Sequence, residues 1–496
     1  MPLPKPADVF DRGWEWSQLA RFAGDTAPGA TLGVVSGRRR QGKTYLLEAL
    51  CEATGGFYFA ATETVPRAEA LRQLGAAIAV YVGTPGTRRF DDWEQAVDAL
   101  LALAPAEEPN PATGPLPVVL DEFPYLAREA RDLPSIIQKA LSPRGLARRA
   151  SRARLLLCGS SISFMGGLLS GTAPLRGRAG LELVVPTFDY RLAAEFWGLT
   201  DHRLAALVYA VVGGTPAYRE EFLRGAAPAG LGDFDSWVVE HVLNPASPLF
   251  REVRALLAED PSLRDTGLYH TVLAAVAEGN ATRGGIANRI ERKAADISHH
   301  LTVLADAGLL VPESDAFRRN RSSYRITEPL VRFYHAIIRP NWAQLERVRP
   351  GRTERIWRAN QQRFASAVMG PAFEQMCRLW AEDHAGPDSV GGDVARVLSG
   401  LVSDPSTRTS HEVDVAVFDP EDRLLAIGEA KWGEVVGLGH LRRLSHIADL
   451  LARQARRPGV LALFSGNGFS ADLRAEAERS AGRVQLVDLE RLYTGA

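Results

Sequence analysis

The chain has 496 residues, of which 46% are hydrophobic and 24% are charged, as in ordinary soluble globular proteins. The formal net charge of −1 excludes a strong overall attraction to nucleic acid, so such binding must use local patches. No apolar run reaches the length of a membrane span, and the start lacks the apolar core of a signal peptide. Three scattered cysteines form no disulfide framework. We therefore expect a cytoplasmic protein without a membrane partner, built from about three domains.

The first part of the chain alternates apolar, strand-like runs with helical stretches. This pattern is typical of an α/β domain with a parallel sheet. The predicted strands are 31–36, 116–120, 155–158 and 181–185, and a helix at 44–53 follows the first of them. From about 190 to 260 the pattern becomes helical, with a break at Gly-Gly-Thr-Pro, residues 213–216.

A phosphate-binding loop lies between the first strand and the first helix. Its residues are Gly37, Arg38, Arg39, Arg40, Gln41, Gly42, Lys43 and Thr44. Glycines let backbone N–H groups close around phosphate oxygens, and the positive N-terminal end of the helix adds to the attraction. We expect Lys43 to reach the β- and γ-phosphates of ATP and the Thr44 hydroxyl to ligate Mg²⁺. Tyr45, the next residue, is included in this predicted nucleotide site.

Two acidic residues end the strand at 116–120 and complete the predicted nucleotide site. Asp121 is expected to hold the magnesium shell through water, and Glu122 to orient and activate the attacking water. Ser160 follows the strand at 155–158 and is either a polar sensor of the γ-phosphate or part of a serine-rich turn. Arg178 is either a charge-stabilising finger or an exposed arginine of a turn.

Lysine is rare in this chain, since only five of the 58 basic residues are lysine. Two of the five, Lys43 and Lys431, occupy positions in recognisable motifs. Arginine's planar fork replaces the compact ammonium of lysine badly at such sites. The scarcity therefore indicates that both positions need lysine for a chemical reason.

Residues 263–338 show three helical patterns, at 269–278, 284–292 and 296–307, followed by a hairpin pattern. This order predicts a winged helix, whose third helix enters the major groove and whose wing crosses phosphates. The wing at 317–325 carries four arginines and no acid. The alternative is that the module packs on the ATPase as a rigid arm. A basic connector follows at 339–360.

The last part of the chain has a mixed αβββαβ pattern, from a helix at 372–381 to a strand at 484–487. Asp414 lies in one predicted strand, and Glu429 and Lys431 end the next, on one face of it. Carboxylates on neighbouring strands suit one or two Mg²⁺ ions, and Lys431 would position water for attack on a phosphodiester. Glu374, in the helix, could complete the acidic cluster. His411 is interpreted as an ordinary strand-end histidine.

These motifs resemble those of the archaeal-type ATPase family, in the STAND group related to AAA ATPases. The matching segments are Phe10-Asp11-Arg12 with Glu15, the loop 37–44, 121–125 and 213–218. The resemblance implies that Arg12 flanks the adenine pocket and that Pro216, in a nucleotide-sensing lid, lies near the base or ribose. From the residues alone, Pro216 is only a helix break. The C-terminal pattern resembles the PD-(D/E)xK nuclease superfamily, which includes inactive members.

We therefore predict an α/β multidomain protein. Its parts are a P-loop ATPase domain with a parallel sheet (1–190), a helical lid (191–262), a winged helix (263–338), a basic connector (339–360) and a restriction-endonuclease-like domain (361–496). The leading hypothesis is an ATPase whose cycle regulates a magnesium-dependent nuclease acting on nucleic acid, DNA rather than RNA, in defence or repair. The alternatives are a regulatory ATPase with a non-cleaving C-terminal module and a chaperone-like assembly factor. A finger arginine from a neighbouring subunit would imply a homo-oligomer, which the sequence does not decide.

Overall fold

The computed structural model describes residues 3–106, 115–259, 263, 266–319 and 321–495. The predicted boundary at 262 and Asn320 of the predicted wing lie outside these residues. Within the described ranges, no helix combines the length and apolar character needed to cross a membrane. The chain divides into two compact units, residues 1–187 and 188–496.

The first unit is built on a five-stranded parallel sheet. Its strands are β1 (Thr31–Ser36), β2 (Phe57–Ala60), β3 (Leu116–Asp121), β4 (Ala153–Gly159) and β5 (Ala179–Val184). They lie in the order β2-β3-β4-β1-β5. Strands β1, β3 and β4 are almost entirely buried, as helices on both faces of a parallel sheet require. The predicted parallel α/β fold is confirmed, although the four-residue β2 was not predicted.

Helices cover both faces of this sheet and bury two hydrophobic clusters against it. They are α1 (Gly13–Ala23), α2 (Lys43–Thr54), α3 (Arg67–Tyr81), α4 (Trp93–Leu101), α5 (Phe123–Glu129), α6 (Leu133–Ala140), α7 (Leu146–Arg149) and α8 (Ile162–Gly167). Because the strands are parallel, the carboxyl ends of β1, β3 and β4 meet at one edge of the sheet. Ligand sites of open α/β sheets form at that edge.

The second unit begins with a helical region. Its helices are α9 (Tyr190–Trp197), α10 (His202–Val212), α11 (Phe234–Trp237), α12 (Pro248–Glu259), α13 (Thr266–Ala277), α14 (Arg283–Arg289), α15 (Ala294–Asp306), α16 (Pro329–Phe333), α17 (Arg339–Leu345), α18 (Arg352–Ala359) and α19 (Gln361–Phe364). Short π-helical segments lie at Tyr218–Phe222, Val238–Val242, Tyr334–Ile338 and Ala365–Met369. The predicted basic connector is therefore largely helical, and it buries Trp357.

A mixed sheet forms the last part of the second unit. Its strands are β8 (Arg396–Asp404), β9 (Thr409–Phe418), β10 (Leu424–Lys431), β11 (Val460–Ser465) and β12 (Val484–Val487), and its helices are α20 (Gly370–Leu379), α21 (Pro387–Val390), α22 (Leu438–Ala452), α23 (Ala471–Arg479) and α24 (Leu489–Thr494). The order is β12-β11-β10-β9-β8, antiparallel from β8 to β10 and parallel from β10 to β12. Helix α20 packs on one face of the sheet and α22 on the other.

One hydrophobic cluster runs through the whole second unit, from Tyr190 to Tyr493. The Tyr190 hydroxyl donates to the Leu492 carbonyl at 2.7 Å, and Arg203 donates to the Gly466 carbonyl at 2.7 Å. The helices after residue 188 therefore share a core with the C-terminal sheet. The finer division of this unit at 262, 338 and 360 stays a prediction.

The segment with the predicted winged-helix pattern has the expected element order. After α13, α14 and α15, the strands β6 (Leu310–Ser314) and β7 (Ser322–Ile326) pair antiparallel. The connection between these two strands packs on the edge strand β8. Arg318 donates to the hydroxyls of Ser403 and Ser410, each at 2.8 Å, so part of the predicted wing covers an edge that would otherwise be open.

The turn after α10 provides a test of this packing. Gly214 accepts a hydrogen bond from the Phe188 N–H at 3.0 Å, and a Cβ atom at Gly214 would lie 1.9 Å from the Phe188 carbonyl oxygen. We expect Gly214→Ala to destabilise the second unit by about 1–3 kcal/mol through overpacking. The matched control is Gly232→Ala, because a Cβ there meets no atom within 4 Å. Urea midpoints followed by tryptophan fluorescence measure the difference, and equal midpoints would contradict this packing.

Candidate functional site

The predicted phosphate-binding loop connects β1 to α2 at the carboxyl edge of the parallel sheet. Two of its glycines are required by the backbone. Gly42 has φ 85°, and a Cβ atom at Gly37 would lie 2.6 Å from the Val185 carbonyl oxygen. Because these two positions carry no side chain, the loop can keep this shape and its N–H groups are not obstructed there.

The Asp121 carboxylate joins the loop to the end of β3. The Thr44 hydroxyl donates to its Oδ2 at 2.7 Å, and the Tyr58 hydroxyl donates to the same oxygen at 2.8 Å. The Glu122 N–H donates to Oδ1 at 2.8 Å. Asp121 is 2% exposed, so these bonds fix its orientation. A hydroxyl and a carboxylate held together in this way are oxygen donors of the kind that Mg²⁺ prefers.

Lys43 is buried at the start of α2, and its ammonium donates to the Arg38 carbonyl at 2.7 Å. Burial lowers the pKa of Lys43, while the nearby carboxylates of Glu122 and Asp121 oppose that shift. The loop therefore holds the Lys43 ammonium close to Asp121 and Glu122, the two acidic residues at the end of β3.

Glu122 has a left-handed backbone, φ 50°, which turns the chain from β3 into α5. Its Oε2 accepts from the Ser160 hydroxyl at 3.1 Å, and Arg39 of the loop donates to the same hydroxyl at 3.3 Å. Burial raises the pKa of Glu122, and the charge of Asp121 adds to the effect. Ser160, predicted from its place at a strand end, therefore links the loop to the acidic pair.

Arg12 lies on the backbone of the loop. It is 5% exposed and donates to Glu15 at 2.9 Å, to the Pro186 carbonyl at 2.7 Å and to the Gln41 carbonyl at 3.3 Å. Burial lowers the pKa of Arg12, while the charge of Glu15 opposes this. The guanidinium ties the start of α1 to the loop and to Pro186, two residues after β5, and sequence reasoning did not predict these contacts. Its implied place beside adenine stays a prediction.

Three other residues of the predicted nucleotide site keep roles that are only predictions. Tyr45 is about half exposed, and its hydroxyl donates to the carboxylate of Asp8 at 2.6 Å. Arg178 lies partly buried in the turn before β5, and its predicted role as a finger is untested. Pro216 belongs to the second unit, so its implied contact with the base or ribose also stays a prediction.

Sequence reasoning missed two tyrosines of this site. Tyr58 lies on β2, whose four residues gave no strand signal, although it contacts Asp121 directly. Tyr125 accepts a hydrogen bond from Arg39 one turn after Glu122. Its only sequence signal was its place in the segment 121–125. Both tyrosines reach the site from elements that flank the loop in space.

The second predicted site lies on β9 and β10. Asp414 and Glu429 are 8% and 3% exposed, and the Ala430 N–H donates to Asp414 Oδ2 at 2.8 Å. Lys431 lies 3.3 Å from Glu429 Oε1, on the shared face that the sequence predicts. Arg443 of α22 lies 2.5 Å from the same oxygen. Glu429 Oε1 is therefore paired with two cations of the chain itself.

A register shift in the β8–β9 pairing helps to aim Asp414. Leu398 pairs with the residue at 416, but Gly400 pairs with the residue at 413, so β9 has one extra residue opposite β8. Such bulges re-aim side chains next to functional sites. Arg378 of α20 donates to the Asp414 carbonyl at 3.0 Å and thereby holds this irregular backbone.

The acidic residues of this site fit a hard divalent cation. Glu429 Oε2 is buried and has no hydrogen-bond partner among the described residues. Burial raises the pKa of Asp414 to about 6 and that of Glu374 to about 7, and the charge of Asp414 adds to the shift of Glu374. Each of these buried carboxylates makes ionisation of its neighbours less favourable. Mg²⁺ would stabilise the ionised forms and take their oxygens as ligands.

The raised pKa values predict an opposing pH dependence of folding and of metal binding. Without metal, carboxyls whose pKa is raised in the folded chain make that chain less stable as pH rises from about 4 to about 7. The reason is that the same carboxyls ionise at a lower pH in the unfolded chain. Magnesium needs the ionised forms, so we expect it to raise the melting temperature more at about pH 8 than at about pH 6. Glu374→Gln should weaken both trends, while the exposed Glu354→Gln should not. Thermal unfolding with and without MgCl₂ measures this, and identical profiles for both variants would contradict it.

No family model matches this chain. An uncharacterized curated protein of Methanocaldococcus jannaschii, MJECL04, is 25% identical over 317 residues. The match covers 63% of this chain and 65% of that protein, so the chain spans less than two thirds of the relative's length.

Several solved structures are similar to this chain. The Walker-type ATPase PABY2304 of Pyrococcus abyssi is 19% identical, with a TM-score of 0.48 over 68% of this chain and 98% of its own. The ORC2 protein of Aeropyrum pernix, in ADPNP–ADP complexes, is 18% identical, with a TM-score of 0.41 over 72% and 97%. Cdc6p of Pyrobaculum aerophilum is 15% identical, with a TM-score of 0.32 over 73% and 97%.

These scores are too low to carry a functional conclusion, which must come from the geometry of the site. A glycine loop joins a buried parallel strand to a helix, and the hydroxyl of Thr44 meets the carboxylate of Asp121. The first unit is a parallel five-stranded α/β sheet with a glycine loop at its carboxyl edge, which is consistent with a P-loop NTPase fold. The expected parallel P-loop sheet is confirmed at that level.

Proposed function

We propose that this protein binds ATP and hydrolyses it, and that its nucleotide state regulates a C-terminal nuclease-like module that acts on nucleic acid. The contact between the Thr44 hydroxyl and the Asp121 carboxylate, 2.7 Å long, carries the first part of the proposal. It joins the end of the loop to the carboxyl end of β3, where Glu122 follows. The groups that we propose to bind and hydrolyse a nucleoside triphosphate are therefore those at one edge of the sheet.

Lys43 is placed to bind the phosphates. Its ammonium now donates to the Arg38 carbonyl inside the loop, so phosphate oxygens could replace that carbonyl as acceptors with little movement. Thr44 and Asp121 would hold Mg²⁺, which would supply charge neutralisation at the β- and γ-phosphates. The N–H groups of the loop and the N-terminal end of α2 add further positive potential.

Glu122 is the proposed general base. It lies partly buried, and its raised pKa makes it a better proton acceptor than an exposed carboxylate. Its Oε2 accepts from Ser160, which also accepts from Arg39 of the loop. Binding of phosphate by the loop would move Arg39 and thereby adjust the orientation of Glu122. We infer that Ser160 positions the base rather than contacting phosphate alone.

Replacing the base separates binding from hydrolysis. We expect Glu122→Gln to lower the turnover number by about 100-fold or more while ATP affinity is retained. The matched control is Glu129→Gln, an exposed residue at the end of the same helix α5. Phosphate release measures turnover, and a fluorescent ATP analogue measures affinity. Undiminished turnover in Glu122→Gln would remove Glu122 from the proposed role.

The C-terminal sheet supports a nuclease-like module of the PD-(D/E)xK type. Its α20-β8-β9-β10-α22-β11 order agrees with the αβββαβ pattern, and Asp414, Glu429 and Lys431 come together on β9 and β10. Asp414 and Glu429 would hold Mg²⁺, with Glu374 nearby, and the ion would supply charge stabilisation to a phosphodiester. Lys431, 3.3 Å from Glu429, would hold and polarise the attacking water.

A regulatory role without cleavage is the second candidate. Glu429 Oε1 already contacts Arg443 at 2.5 Å and Lys431 at 3.3 Å, so two internal cations compete with a metal for this oxygen. In this alternative the C-terminal module binds a partner and reports the nucleotide state of the first unit. The two candidates make opposite predictions for cleavage.

A cleavage assay decides between them. With plasmid and oligonucleotide substrates and MgCl₂ or MnCl₂, with and without ATP, we expect the intact protein to cleave. Asp414→Ala and Lys431→Ala should lower the rate about 100-fold or more, because each removes a group that acts in the reaction. Lys139→Ala, at an exposed position of the first unit, serves as the control. Equal cleavage by all four proteins would exclude this site as the source of the cleavage. Absence of cleavage by the intact protein, with its ATPase activity intact, would favour the regulatory alternative.

Nucleic-acid contact is proposed for the winged-helix segment, with DNA favoured over RNA. Arg325 is paired with Glu313 at 2.5 Å and Arg318 is bonded to β8 and β9, so these two are already engaged. Arg319 and Arg321 are exposed and remain the wing arginines best placed for phosphates. Such contacts would weaken with salt.

A further inference from the structure

A second group of metal-type side chains lies on the C-terminal sheet, away from the acidic residues described above. Asp404 ends β8, His411 lies on β9, and His446 lies on α22. One ligand atom from each lies within 4.8 Å of the others. Among the described residues, this is the group of three or more His, Cys, Asp or Glu side chains that meets so closely.

The distances suit a small cation with short bonds. His446 Nε2 lies 3.0 Å and His411 Nε2 lies 3.7 Å from Asp404 Oδ2. In a tetrahedral zinc site with bonds near 2.1 Å, neighbouring ligand atoms are about 3.4 Å apart, which falls between these two values. The two imidazole rings meet edge to face, with centroids 5.5 Å apart, so both nitrogens approach the carboxylate from different directions.

The polar atoms of the group are arranged for a ligand. His411 Nε2 is buried without a hydrogen-bond partner, at a distance from Asp404 too long for a hydrogen bond. Asp404 is 2% exposed, and its Oδ1 accepts from the N–H and the hydroxyl of Ser406 at 2.9 and 2.5 Å. Ser406 thus fixes the carboxylate from behind, as outer-shell partners do at metal sites, and leaves Oδ2 facing both histidines.

The donor set identifies the class of ion. Two imidazoles and one carboxylate suit zinc and neighbouring transition metals, whereas Mg²⁺ and Ca²⁺ favour all-oxygen sites. The side chain of His446 is 49% exposed, so the outer side of the group is open to solvent. Three protein ligands and one water molecule would complete four-coordination of a zinc ion.

We propose that Asp404, His411 and His446 bind a Zn²⁺ ion that fastens α22 to the β8–β9 hairpin. His411 and Asp414 are three residues apart on β9, which separates their Cα atoms by about 10 Å and keeps the zinc site distinct from the magnesium-type site. The two are joined by α22, because Arg443, one turn before His446, contacts Glu429. Zinc would thereby fix the helix that carries Arg443. This site is independent of the function proposed for the carboxylates.

The test uses the full chain, stripped of metal with a chelator and then titrated with ZnCl₂ or CoCl₂. We expect one zinc per chain, a rise in melting temperature with zinc, and the visible absorption of four-coordinate Co²⁺. His446→Asn and His411→Asn should each weaken zinc binding at least tenfold. Tenfold is about the smallest loss of metal affinity on mutation of an outer-shell partner, and these histidines are proposed to bind the ion directly. His299→Asn, at an exposed position on α15, is the matched control and should bind as the unaltered chain does.

Asp414→Ala distinguishes the two sites and should leave zinc affinity unchanged. Loss of zinc binding in Asp414→Ala with retention in both histidine variants would place the ion among the carboxylates and overturn the proposal. Equal zinc affinity in the unaltered chain, His446→Asn and His411→Asn would also overturn it. Circular dichroism of each variant shows that the fold is retained, and His446, on the exposed side of α22, is the position least able to disturb it.

Discussion

The Asp121 carboxylate accepts hydrogen bonds from three sides, and the site of the first unit is arranged around it. Thr44 reaches it from α2, Tyr58 from β2 and Glu122 from its own backbone. Because the carboxylate is nearly inaccessible, losing one donor would leave a buried charge with one hydrogen bond fewer, which water could not replace. The same bonds that stabilise the sheet edge therefore fix the orientation of the carboxylate.

The site also depends on the strand order. Strand β4 lies between β1 and β3, so the loop after β1 and the acidic pair after β3 approach each other across the end of β4. Ser160, just after β4, fills that space by bonding to Glu122 and to Arg39. A nucleotide that moves the loop would therefore affect Glu122 through the Ser160 hydroxyl.

Local patterns in the sequence predicted much of this. Buried strands such as Thr31–Ser36 and Leu116–Asp121 are largely apolar runs, and the glycine loop and the acidic pair stand at the ends of these two strands. The Arg12 clamp was not predictable, because its acceptor at Pro186 is 174 positions away. The same holds for His446, whose partner Asp404 lies on another element 42 positions earlier. Local sequence patterns show the periodicity within one helix or strand. The contacts of Arg12 and His446 depend instead on how distant elements pack together.

The bond between Tyr190 and the Leu492 carbonyl spans 302 positions of the chain. Tyr190 and Tyr493 also pack edge to face, with centroids 5.1 Å apart. A ribosome making this protein must therefore complete nearly all of the second unit before Tyr493 can cover the ring of Tyr190. Until then that apolar surface stays exposed to other chains, which is the condition under which large domains aggregate or need chaperones. The first unit has no such dependence, because its sheet closes within its own residues.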